Sequence, residues 1–145
     1  MIRRQLINFQ NRSVDVRVGL GAFDELSRMF ASAVGKPKRA MVVWNSASSE
    51  RFDEVVEHAL VDAGFAVSLL VLEVSPAGAT LSDADTVFGA LSANGITCDD
   101  LVVAVGDAAT CSVVSWCANQ WCGRTECALS LIHISEPTRP ISISY

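Results

Sequence analysis

Three short stretches carry the residues whose types suit chemistry: WNSASS (44–49), SPAGATLS (75–82) and VGDAATCS (105–112). In each, apolar residues give way to small and hydroxyl-bearing ones just ahead of a helical pattern. The third runs from an apolar strand through Gly106 and a short turn into a helix start. Backbone N–H groups at such a start, together with the helix dipole, can hold a phosphate. One glycine alone is weak support, because any strand-to-helix turn can need it. The carboxylate of Asp107 can also cap the same N–H groups, which satisfies the helix and repels an anion.

The other reactive side chains point to packing rather than catalysis. Cys98, Cys111, Cys117, Cys122 and Cys127 crowd the last third of the chain without a C-x-x-C pair, the spacing that a zinc site or redox motif needs. They read as small apolar residues of a helix and its flanks. His58 falls with Glu54 and Asp62 on one helical stripe and reads as a solvated histidine among acids.

The elements that position these loops follow from hydrophobic period. VDVRVG (14–19) alternates valine with charge, as a half-buried strand does. Phe23, Leu26, Phe30 and Ala33 then recur at helical spacing, and Gly35 with Pro37 ends that helix. RAMVVW (39–44), FAVSLLVLEV (65–74) and LVVAV (101–105) are apolar runs suited to buried strands.

Between them, Ser49 is the expected N-cap of a helix burying Phe52, Val55, Val56, Ala59, Leu60 and Ala63, with Gly64 at its C-terminal cap. Ser82 with Asp85 is the expected start of the next helix, whose buried face is Val87, Phe88 and Leu91. A last helix after Asp107 presents Thr110, Val113, Val114, Cys117, Ala118 and Trp121 on one face. Strand and helix alternate four times with short connections. That pattern predicts an α/β, doubly wound, mainly parallel sheet with helices on both faces, and ligands of such sheets bind beyond the carboxyl ends of the strands.

Composition narrows the class further. The chain has 145 residues, 50% of them hydrophobic and 19% charged, which suits one globular domain. The formal net charge of −5 and the scattered basic residues argue against a nucleic-acid partner. No apolar run reaches the roughly 20 residues of a membrane span. The N-terminus MIRRQLINFQ has no signal-peptide core, so a cytoplasmic location without membrane attachment is expected.

The ending LSLIHISEPTRPISISY (129–145) differs in character from the rest and matches the in-frame translation of a transposon-type sequencing adapter. The expected domain is therefore 1–128, a nucleotide-binding-type α/β domain, followed by a non-native tail over 129–145 that carries no function.

The order VDVRVGLGAFDEL, RAMVVWN, SPAGATLSDADTVFGAL and CDDLVVAVGDAA resembles the N-terminal nucleotide-binding domain of dehydroquinate synthase. In that family a strand ending V-G leads into a G-x-L-x-E-L helix, a P-x-G-E-x-x-K loop precedes a helix, and D-x-x-V-A-L-G-G-G opens the phosphate loop.

The resemblance implies a Rossmann-like fold, bound NAD, zinc or another divalent metal, and a homodimeric parent. The reaction it implies is the lyase-type ring closure of a seven-carbon keto sugar acid phosphate to 3-dehydroquinate, a step of the shikimate pathway. It carries the cofactor contacts onto Asn45, Gly78, Gly106, Asp107, Ala108, Thr110 and Ser112.

The family's metal ligands and most of its substrate-binding groups lie in a helical C-terminal domain beyond this chain, so no catalytic or metal-binding residue, and no turnover, is expected here. Gly106-Asp107-Ala108 stands where the family has Gly-Gly-Gly. Ser112 and Asn45 stand in place of aspartates, and Ala79 and Ser82 in place of the glutamate and lysine. Two further readings remain: a fragment of an iron-dependent alcohol or glycerol dehydrogenase-like oxidoreductase, and a non-catalytic homologue acting as a binding or regulatory domain.

Overall fold

A computed structural model describes residues 3–9, 12–18, 39–46, 52–75, 77–131 and 141–144. The strands are β1 (Arg3–Phe9), β2 (Arg12–Val18), β3 (Arg39–Asn45), β4 (Ala66–Leu72), β5 (Leu101–Gly106), β6 (Glu126–Leu131) and β7 (Ile141–Ser144). The helices are α1 (Phe52–Asp62), α2 (Leu81–Ala93) and α3 (Ala108–Gln120). All strands join one sheet in the order β1-β2-β7-β6-β5-β3-β4.

Strands β6, β5, β3 and β4 are mutually parallel, and they form the doubly wound unit that the alternating pattern predicts. Residues along these strands alternate between two cores, because successive side chains of a strand face opposite sides. Met41, Val43, Val102, Ala104, Cys127 and Leu129 pack on one side with α2 and α3. Ala40, Val42, Leu101, Val103, Val105 and Ala128 pack on the other with α1. Every residue of β5 is buried, which explains its unbroken apolar sequence. Each fully buried valine or leucine here stabilises the fold by roughly 1.5–3 kcal/mol.

Helix ends follow local chemistry. Gly64, at φ 95°, closes α1 with Gly64 N–H donating to Val61 O and Phe65 N–H to Leu60 O at 3.0 Å. This is the expected glycine cap. His58, Glu54 and Asp62 are all exposed, as read from the sequence.

Three expectations need correction. First, α2 starts two residues early. Thr80 is its N-cap, and Thr80 and Asp83 make the reciprocal capping box expected of Ser82 and Asp85. Second, Val55 is 43% exposed whereas Asp53 is fully buried, so the buried stripe of α1 runs through Asp53, Val56 and Leu60 and is rotated away from Val55. Third, the first valine-rich strand does not join the parallel set: β2 pairs antiparallel with β1 and with β7. β6 itself runs through Ala128, pairing with β5 from Leu101↔Glu126 to Gly106↔Leu131. The helix expected over 23–33 and the Ser49 cap lie outside the described residues.

The course of β6 has an energetic consequence. Leu129 is 6% exposed within the α2–α3 core, beside the inward-facing Cys127. Leu129→Ala is therefore expected to lower stability in urea unfolding by about 2–4 kcal/mol, the usual cost of emptying a buried leucine site. An unchanged midpoint would show that the chain beyond Ala128 does not pack.

Candidate functional site

Four of the residues singled out in the sequence meet at the carboxyl ends of β3 and β5. Asn45, the last residue of β3, is 3% exposed. Its Nδ2 donates to Thr110 Oγ1 at 3.0 Å and to Val74 O at 3.2 Å, joining the end of β3 to α3 and to the loop after β4. Thr110 is fully buried. Its hydroxyl passes the bond onward, donating to Asp107 Oδ1 at 2.7 Å. The same carboxylate oxygen accepts Thr110 N–H at 2.9 Å, so Asp107 is the N-cap of α3.

Gly106 supplies the turn. Its φ of +153° is a conformation that L residues rarely adopt. A Cβ there would lie 3.4 Å from Thr110 Cβ and 3.5 Å from Asn45 Cβ, ordinary contact distances. The backbone angle, not crowding, therefore demands glycine. Gly78 is the same case in the loop before α2, with φ +144° and nothing within 4 Å of an added Cβ.

The remaining expected residues lie apart from this cluster. Ala108 and Ser112 are exposed on the first turns of α3. Ser112 lines a shallow groove of about 270 Å³ with Ala79, Thr80, Leu81 and Trp116. Sequence reasoning did not find that groove. Trp116 is half exposed there and Leu81 82% exposed, and the only prior signal was a tryptophan on the helix face opposite the core.

Beneath the turn, Cys111 points its Sγ at Gly106 O, 3.9 Å away. Burial, then the nearby Asp107 carboxylate, pushes its pKa up from 9.0 to about 12. Burial alone raises Cys117 to about 11. Burial, followed by the neighbouring Cys111 and Glu126, also pushes Cys127 upward. These thiols stay protonated near neutrality and serve as apolar fillers, as their sequence context suggests. Cys98 and Cys122 are exposed. Among the described residues no group of three or more His, Cys, Asp or Glu side chains could hold a metal ion. No helix among them is long and apolar enough to cross a membrane.

The electrostatic character of the turn is thus anionic. A phosphate at a helix start needs N–H groups that are free to point at it. Here Asp107 already takes the Thr110 N–H. Its carboxylate and a second anion within a few ångströms repel each other by on the order of 1 kcal/mol or more. Asp107 therefore lessens the capacity of this terminus to hold an anion.

No protein-family model matches the sequence, and no curated protein does. The fold does have solved likenesses. One is a crystal structure of 2-deoxy-scyllo-inosose synthase complexed with carbaglucose-6-phosphate, NAD+ and Co2+, with a TM-score of 0.73 at 13% identity. The match covers 94% of this chain and 42% of that one. A second structure of 2-deoxy-scyllo-inosose synthase gives a TM-score of 0.72 at 13% identity over the same shares. The chain therefore spans less than half the length of these proteins and has the α/β fold of the corresponding part.

Removing the middle of the hydrogen-bond chain should loosen the turn. Thr110→Val keeps the shape of the side chain but leaves a buried Asn45 donor without its threonine acceptor, a loss of about 1–3 kcal/mol. Thr110→Ser restores the hydroxyl and should recover most of that in chemical unfolding. Equal losses for both variants would mean that packing of the methyl group, not the hydrogen bonds, holds Thr110.

Proposed function

We propose that this chain is the nucleotide-binding-type part of a dehydroquinate synthase-like cyclase whose contact with NAD at the Gly106 turn is weakened by Asp107. The observation that carries the reading is the strand–Gly106–helix turn at the carboxyl end of β5, set in a fold that covers 94% of the chain in the likeness to an NAD+-bound cyclase. The residues that the family resemblance assigns to the cofactor support it. Asn45, Gly106, Asp107 and Thr110 share one hydrogen-bonded corner, and Ser112 faces the adjoining groove.

In this reading NAD supplies the transient oxidation and later reduction of the sugar, and a divalent metal is held by the helical domain that follows. Shikimate-pathway ring closure, a homodimeric parent and a cytoplasmic setting belong to the same proposal. The residues here position the cofactor's phosphate-bearing portion and carry out no proton transfer. One observation favours a second reading, a binding or regulatory domain that has lost the cofactor: the carboxylate of Asp107 occupies the helix start where a pyrophosphate would bind.

Asp107→Asn separates the two readings. Asparagine caps helices about as well as aspartate, so the loop keeps its shape. Only the charge is removed, at a cost below about 1 kcal/mol in helix-dipole interaction. Calorimetric titration should show weak NAD binding by the wild type and roughly tenfold tighter binding by the variant, equivalent to about 1.4 kcal/mol. Binding by neither protein at millimolar NAD would reject the cofactor reading in favour of the second.

A further inference from the structure

We infer that Cys98 and Cys122 are a redox pair, closing a reversible disulfide between the turn that enters β5 and the turn that follows α3. The inference stands apart from the cyclase reading. Both turns lie at the amino ends of β5 and β6, at the opposite edge of the sheet from Gly106.

The five cysteines divide by exposure. Cys111, Cys117 and Cys127 are 3%, 0% and 5% exposed and belong to the core. Cys98 and Cys122 are exposed, so packing accounts for the first three and not for these two.

Hydrogen bonds tie the two exposed cysteines to one point. The buried Thr125 hydroxyl bridges Trp121 O at 3.1 Å and Thr97 O at 3.4 Å. One carbonyl belongs to the residue before Cys122 and the other to the residue before Cys98. A second tie runs beside the first, since Trp121 Nε1–H donates to Ile96 O at 2.7 Å. Carbonyls that share one hydroxyl lie within two hydrogen-bond lengths of each other. That is the scale of the roughly 4.4–6.8 Å that a disulfide spans between its Cα atoms.

Each cysteine is also held within its own turn. Around Cys98, Asp100 N–H donates to Thr97 O at 3.1 Å, and Asp100 Oδ2 accepts Thr97 N–H at 2.8 Å. Cys122, at φ 49°, is the non-glycine residue with positive φ among the described residues. Such a conformation persists only where its surroundings fix it, as the contacts of Trp121 and Thr125 do here. Two thiols fixed on neighbouring turns react with each other at high effective concentration.

The oxidant is a small-molecule disulfide. One cysteine thiolate attacks a sulfur of glutathione disulfide, giving a mixed disulfide and one released glutathione. The second cysteine thiolate then attacks the protein sulfur of that mixed disulfide and expels the other glutathione. One S–S bond replaces another, and two electrons and two protons pass from the protein to the two glutathione thiols. The bridge ties the end of α3 to the entry of β5 and restricts the unfolded chain between Cys98 and Cys122.

Mass spectrometry of the 145-residue chain after incubation with glutathione disulfide under native conditions tests the inference, with Cys98→Ser and Cys122→Ser as controls. The wild type should give a monomer lighter by two hydrogens, and each variant should instead retain one glutathione. The thermal midpoint of the oxidised wild type should stand several degrees above that of the reduced protein, and dithiothreitol should restore the lower value. A wild type that carries glutathione on both thiols without a cross-link, or that links only between copies, would overturn the inference. So would a cross-link that persists in either serine variant, or a midpoint that does not rise on oxidation. The mass and midpoint of the wild type decide the matter even where a serine variant does not fold.

Discussion

The hydrogen-bond chain from Asn45 through Thr110 to Asp107 is the constraint on which the candidate site depends. Its three side chains come from the end of β3 and the start of α3, and the Asn45 amide also reaches Val74 in the loop after β4. Donors and acceptors run in one direction: amide to hydroxyl, hydroxyl to carboxylate. Asn45 and Thr110 are almost or fully buried. Buried polar groups of this kind are costly unless each is satisfied, so the chain fixes the three loops relative to one another. Gly106 permits it by taking a φ that brings α3 back over the sheet.

This arrangement sets stability and ligand affinity against each other. The carboxylate that gives α3 its N-cap also sits at a helix start, where backbone N–H groups could otherwise hold an anion. N-capping by aspartate is worth about 1 kcal/mol. Repulsion of a bound phosphate is of similar size or greater. A chain with glycine at this position would trade the first effect for relief from the second. Aspartate here stabilises the domain in the absence of ligand.

Much of the fold was legible in the sequence for identifiable physical reasons. LVVAV is apolar at every position because β5 is covered on both sides, and the alternation of cores along β3 and β5 follows from the period of a strand. Gly64 and Asp107 were readable as helix boundaries because their roles are local. What was missed is non-local. β1 has no clean alternation, since Arg3 to Asn8 are all exposed, and its partner becomes visible only once the hairpin register is known. The displaced start of α2 had a signal, Thr80 three residues before Asp83, which competed with the equally spaced Ser82 and Asp85. The roles of Asn45 and Thr110 were also out of reach. Their separation of 65 residues hides a hydrogen bond that only the crossover of the sheet creates.

The tail illustrates the same limit in reverse. Its sequence has no helical or strand period of the kind that marks the rest, yet Leu129 lies in the core because a strand beside β5 must alternate inward at that register.

The most direct test of the central claim is to follow the backbone amides of residues 106–110 by nuclear magnetic resonance while inorganic pyrophosphate is added, in wild type and in Asp107→Asn. If Asp107 occupies the helix start, the wild-type resonances should move little and without saturation. Those of the asparagine variant should move saturably, with the largest changes at Ala108, Ala109 and Thr110. Saturable movement of the same amides in the wild type, equal to that in the variant, would contradict the account.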